Sequence, residues 1–157
     1  EGDNAISSMA PDGRTAYVIN IYHPNGSLGF GVSRSLKTRA GWSAPVECKI
    51  ANNYNLHRDN QFEFAVSPDG KAMVLAVQRR DALGERDLYV TFLKADGTWT
   101  EPKALGPQVN TADAESSPFL AADGQTLYFS SMGHPGYGNG DIFVTRRLDD
   151  TWTNWSE

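Results

Sequence analysis

The chain repeats itself, and the repeat restricts the fold more than any other feature. Asp-Gly pairs stand between two apolar stretches at Asp12-Gly13, Asp69-Gly70 and Asp123-Gly124, 57 and 54 residues apart. A tryptophan signature follows each pair: Trp42-Ser-Ala-Pro45, Trp99-Thr-Glu-Pro102 and Trp155-Ser-Glu157, spaced by 57 and 56. Between these anchors the runs beginning at Ala16, Met73 and Leu127 fill one set of equivalent places. The runs Gly29–Ser33, Asp87–Thr91 and Asp141–Thr145 fill a second. Three repeats follow, over 1–52, 53–108 and 109–157.

Each repeat parses as four short strands. In the segment 61–67, Phe62, Phe64 and Val66 alternate with Glu63 and Ala65, the period of a strand with two unlike faces. Asp-Gly then signals a two-residue hairpin, because glycine, and aspartate to a lesser degree, tolerates positive φ. The second strand is apolar on both faces, as in a sheet sandwiched between neighbours. The third is the Asp-Ile-Phe-Val type. The fourth starts near the tryptophan, and its proline suits an outer edge where a missing N–H is harmless. A four-stranded meander repeated every fifty residues or so is the pattern of a β-propeller blade. The expected fold is therefore all-β, with three four-stranded antiparallel blades and the fourth strand of the third repeat truncated.

The glycine-rich stretch from Ser130 to Arg147 invites a phosphate-loop reading, but such a loop must open a helix. Here it leads into Asp141-Ile-Phe-Val-Thr145, a strand sequence. The equivalent connection in the second repeat, 78–86, carries one glycine. The stretch reads as the bend between second and third strands.

Composition removes several function classes. A net charge of −5 argues against nucleic acid and anionic membranes as partners. No apolar run is long enough to span a bilayer. The single cysteine, Cys48, aligns with Leu105 three residues after the signature proline, which favours a small buried hydrophobe over a reactive thiol. The chain opens on Glu1 and reads as a processed or excised piece. Propellers usually close with four to eight blades, so three are expected to belong to a larger propeller or to pair with a second copy to make about six.

The segment 117–131, then Gly136-Tyr-Gly-Asn-Gly-Asp-Ile-Phe-Val144, then Trp155-Ser-Glu157, resembles the WD-like propeller repeat of the TolB type. It is most similar to the version found in bacterial cell-envelope proteins, often beside an OmpA-like domain that binds peptidoglycan. The second repeat matches through Ser67-Pro-Asp-Gly-Lys71 and Arg86-Asp-Leu-Tyr-Val90. The first keeps Ala10-Pro-Asp-Gly-Arg14 but has Gly29 in place of the aspartate that opens the third strand. The resemblance implies a periplasmic or envelope location and says little about activity.

In such a meander, the loops between second and third strands share a face with the links between blades. That face should hold His23, His57, His134, Arg58, Asp59, Arg79, Arg80, Asp81, Asp113, Glu115 and Tyr137. Asp3, Asn4, Asp59, Asn60, Asp113 and Glu115 should lie nearest the axis. Their carboxylates suit calcium, another cation or a polar ligand; the alternative is that they cap turns and pair with arginines. The expected binding set is Asp59, Asn60, Asp113, Glu115, His57, Arg58, His134 and Tyr137. Asp12, Gly13, Asp69, Gly70, Asp123 and Gly124 are turn residues, and Asp87 and Asp141 are expected to hold loop amides at the strand starts. The histidines lack metal-ligand spacing, so no metal site and no cofactor is assigned. No Gly-x-Ser-x-Gly elbow is present, and no catalytic residue is assigned. The expectation is a non-catalytic binding or scaffold module contacting a protein or a peptidoglycan-associated partner. The alternative is part of a carbohydrate-active or hydrolytic propeller that binds oligosaccharide through its loop-face aromatics and acids.

Overall fold

The computed structural model describes residues 5–57 and 62–157. Among them the chain is all-β, with no helix and three antiparallel sheets. The first contains β1 (Ile6–Met9), β2 (Thr15–Tyr22), β3 (Leu28–Thr38) and β4 (Gly41–Trp42), with β5 (Val46–Glu47) also paired to β3. The second runs β6 (Glu63–Val66), β7 (Ala72–Val77), β8 (Asp87–Phe92), β9 (Lys103–Ala104). The third runs β10 (Glu115–Leu120), β11 (Thr126–Ser131), β12 (Asp141–Arg146). These are blades of a propeller stacked flank to flank. The innermost strands meet along the axis, where the Ser7 hydroxyl donates to the Phe64 carbonyl at 2.8 Å.

Each Asp-Gly turn is built alike, and differs from the two-residue hairpin expected. The loop has four residues, closed by Ala10, Ser67 and Ala121 amides donating to the carbonyls of Thr15, Ala72 and Thr126. Glycine takes the left-handed place, with φ of 64°, 69° and 67° at Gly13, Gly70 and Gly124. The aspartate carboxylate accepts the amide two residues ahead, from Arg14, Lys71 and Gln125. At Asp123 the Thr126 hydroxyl, with the Gln125 and Thr126 amides, holds the carboxyl down to about 2.

The third strand of sheet one sits two residues from its expected register. Ala16 pairs with Ser35, as Met73 pairs with Thr91 and Leu127 with Thr145. A second mark agrees: Ser35, Thr91 and Thr145 each donate a hydroxyl to the carbonyl of the residue after the signature tryptophan, Ser43, Thr100 and Ser156. Gly31, not Gly29, therefore occupies the place of Asp87 and Asp141. The all-apolar second strand is realised in β7, whose six residues are all buried. It is not realised in β11, whose burial alternates, or in β2, where only Ala16 and Tyr17 are buried and the rest are half-buried.

Packing follows the repeat. Phe62, Phe64, Val66, Met73, Leu75 and Trp99 of the second sheet bury against Tyr17, Val32 and Cys48 of the first. Leu120, Leu127, Phe129 and Trp155 of the third bury against Ala65, Val74, Leu88 and Val90 of the second. Trp99 and Trp155 thus each seal their sheet onto the one before it. Trp42 has no described sheet on that side and is 46% exposed. The opposite flank of the third sheet shows Phe119, Tyr128, Ile142 and Val144 to solvent. Cys48 and Leu105 occupy equivalent places, their amides donating to the carbonyls of Val32 and Leu88.

Candidate binding face

The loops between second and third strands and the links between sheets gather at one end of the stack. Asn55 in the first link accepts the Gln78 amide at 2.9 Å, and the Leu56 amide donates to the Gln78 carbonyl at 2.8 Å. The Glu115 amide donates to the Arg86 carbonyl at 2.7 Å, and that of Met132 to the Ala114 carbonyl at 3.0 Å. The Asp-Gly turns lie at the other end of the strands.

Carboxylates fix these loops. Asp87 accepts the Leu83 amide at 2.8 Å and the Gly84 amide at 3.3 Å. Asp141 accepts the amides of Tyr137 and Gly138 at 2.7 and 3.2 Å. Burial pushes the Asp87 carboxyl above the ordinary carboxylate range, against the pull of those two amides. Two glycines permit the tight approach. A Cβ on Gly84 would strike the backbone of Ala112 and Asp113, and one on Gly136 would strike the Asp141 carboxylate.

The residues expected to bind a ligand are not brought together as one open cluster. Glu115 is fully buried; its carboxylate accepts the Thr111 amide at 2.9 Å and the Thr111 and Ser131 hydroxyls, each at 2.7 Å. His134 contacts the rings of Phe129 and Phe143, with Nε2 3.0 Å from the Val109 carbonyl. Arg79 turns inward: it donates to the Asn52 carbonyl at 2.8 Å, pairs with Glu101 at 3.1 Å and lies 4.3 Å over the Tyr54 ring. Asp113 and Tyr137 are exposed, and His57 is half-buried. His23 closes its own hairpin through a 3.0 Å bond from its amide to the Ser27 carbonyl. Asp3, Asn4, Arg58, Asp59 and Asn60 lie outside the described residues. Among the described residues, no group of three or more His, Cys, Asp or Glu side chains is placed to hold a metal.

Two positions escaped sequence reasoning. Asn110 is buried and bonds both ways to Leu88, accepting its amide at 2.9 Å and donating to its carbonyl at 3.0 Å. It imitates a strand neighbour at that edge. Thr111 locks Glu115 one residue further on. Asn110 acts across repeats, and its signal in the sequence is Asn53, five residues after Cys48 as Asn110 is five after Leu105. Thr111 acts within its own repeat and aligns with Tyr54.

With these groups occupied in holding the loops, the face is a fixed surface. Its exposed apolar and aromatic side chains include Leu56, Leu83, Met132 and Tyr137. Along the axis on the opposite side, a groove of about 310 Å³ is lined by Ser8, Met9, Ala65, Pro118 and Phe119.

No protein-family model matches the chain, and no curated protein matches it. Among solved structures it resembles TolB from Acinetobacter baumannii, with 17% identity and a TM-score of 0.56 over 91% of this chain and 30% of that one. It also resembles the periplasmic gluconolactonase PpgL from Pseudomonas aeruginosa, with 20% identity and a TM-score of 0.46 over 88% and 38%. The chain spans less than two fifths of either structure. At this identity the TolB likeness shows a propeller fold and nothing finer.

Proposed function

We propose that the chain is a non-catalytic binding module of a bacterial envelope protein, using the loop face to hold a protein or peptidoglycan-associated partner. The observation that supports this reading most is the internal commitment of the polar groups on that face. Asp87, Asp141, Glu115 and Arg79 all spend their bonds on loop backbone, other side chains or both. A rigid platform remains, displaying Tyr137 and apolar side chains, the kinds of group that anchor protein interfaces when surrounding loops are already ordered. The envelope location rests on the repeat resemblance described above.

The test places a photo-cross-linking phenylalanine analogue at Tyr137 in cells secreting the protein to the periplasm. One defined cross-linked envelope protein or muropeptide is expected, lost when Leu83→Asp is added. Oligosaccharides should leave the melting temperature unchanged. Stabilisation by a sugar, together with its turnover, would replace this reading with the carbohydrate-active one.

A further inference from the structure

At the loop end of the stack, between the second and third sheets, a largely buried charge is left without a hydrogen bond from two of its nitrogens. Arg86 stands just before β8, its side chain 13% exposed and its Nη1 3.6 Å from the Glu63 carboxylate. Among the described residues, neither its Nε nor its Nη1 finds an acceptor, and both are buried. Arg79 and Arg147 also bury an unpaired Nε, but each donates from Nη1 and Nη2 to carbonyl or carboxylate oxygens. A guanidinium taken out of water normally has its donors satisfied, because each one left bare costs the full desolvation penalty.

Glu63 could close on Arg86 but is held back. Its Oε2 accepts the Ser117 amide, which faces it because Ser117 takes a left-handed φ of 51° in the bulge of β10. That conformation is costly for a residue with a Cβ and persists only where the surrounding structure imposes it. The repeat does not demand this arrangement. By the common register Phe30 is the counterpart of Arg86 in the first sheet, and it packs edge-on against Phe62 with ring centres 4.6 Å apart. The fold can therefore fill the place with an apolar pair. The second sheet carries a strained backbone and a buried charge there instead.

We propose that Arg86 is a binding site for a carboxylate, carried by a small acid or by the C-terminus of a peptide. Glu63 approaches Nη1, so the Nε–Nη2 edge keeps two parallel N–H groups, the fork that a carboxylate fits. Bound there, the carboxylate gives Nε the acceptor it lacks. The site adjoins the loop face, but a small carboxylate needs no protein partner to bind, so either reading can fail without the other.

The test titrates the 157-residue chain with acetate and with acetyl-dialanine, ionic strength being held constant with sodium chloride. NMR follows the Arg86 Nε–H signal and the Ser117 amide beside Glu63. Acetate should move the Nε–H signal downfield with saturation, and Arg86→Gln should weaken the binding seen at Ser117 by about tenfold or more. Tighter binding of acetyl-dialanine, lost on amidating its C-terminus, would assign the site to a peptide end; equal binding would assign it to a small acid. If the Gln variant does not fold, the Nε–H shift in the unaltered chain still decides. The proposal fails if neither acid moves that signal at millimolar concentration, if sodium chloride alone moves it equally, or if a folded Gln variant binds acetate as tightly.

Discussion

The sealing role of the signature tryptophan can be tested by cutting the same side chain at two equivalent positions. Trp99 is 2% exposed and Trp42 is 46% exposed. An indole buries up to about 250 Å², so Trp99 hides roughly 110 Å² more than Trp42. At ~25 cal/mol per Å² the difference is about 3 kcal/mol before any cavity is counted. Trp99→Ala should cost about 4–5 kcal/mol, since a void between packed sheets collapses poorly, and Trp42→Ala about 1–2 kcal/mol. Urea unfolding followed by far-UV circular dichroism reads both, free of the fluorescence lost with the indole. An unchanged m-value would show that the denatured states are comparable. Equal costs, within about 1 kcal/mol, would refute the reasoning, because Trp42 would then be covered in solution as fully as Trp99.

Three further outcomes follow. Burial pushes the Cys48 thiol up to about 11 from an ordinary 9.0, so its neutral form is favoured in the fold. That contribution is complete below pH 9 and is lost as pH rises toward 11. Iodoacetamide at pH 8 should therefore label the native protein at least ~100-fold more slowly than a free cysteine, and labelling at the free rate would contradict the assignment. Gly84→Ala drives a methyl group into the backbone of the adjoining link and should cost about 2–3 kcal/mol by calorimetry. Gly13→Ala meets only open space and should cost about 1 kcal/mol, from its positive φ.

The repeat, the sheets and the burial of Cys48 were legible because they rest on spacing and on residue type. The register of β3 was not. Leu28, Phe30 and Val32 alternate along an eleven-residue strand, and a slip by two residues keeps every side chain on its own face. Only the Ser35 hydroxyl bond and the partner strand fix the choice, and both are tertiary. Asp-Gly correctly marked where glycine turns left-handed. It could not give loop length, which depends on the aspartate reaching the amide two residues ahead. Glu115 looked like a surface acid because its sequence neighbours are polar. Its burial is decided by Thr111 and Ser131, which come from a link and a separate strand. The same error arose at Arg79, whose partners Asn52, Tyr54 and Glu101 belong to other segments.

A cover that arrives from the following unit has a cost during synthesis. Fifty-six residues separate Trp99 from Trp155, which a ribosome adds over roughly 3–11 s at ~5–20 residues per second. Hairpins form in microseconds, so the second sheet waits with one greasy flank bare for most of that interval. Slowing translation between these two residues would lengthen the exposure, and the nascent chain would depend more heavily on holding chaperones.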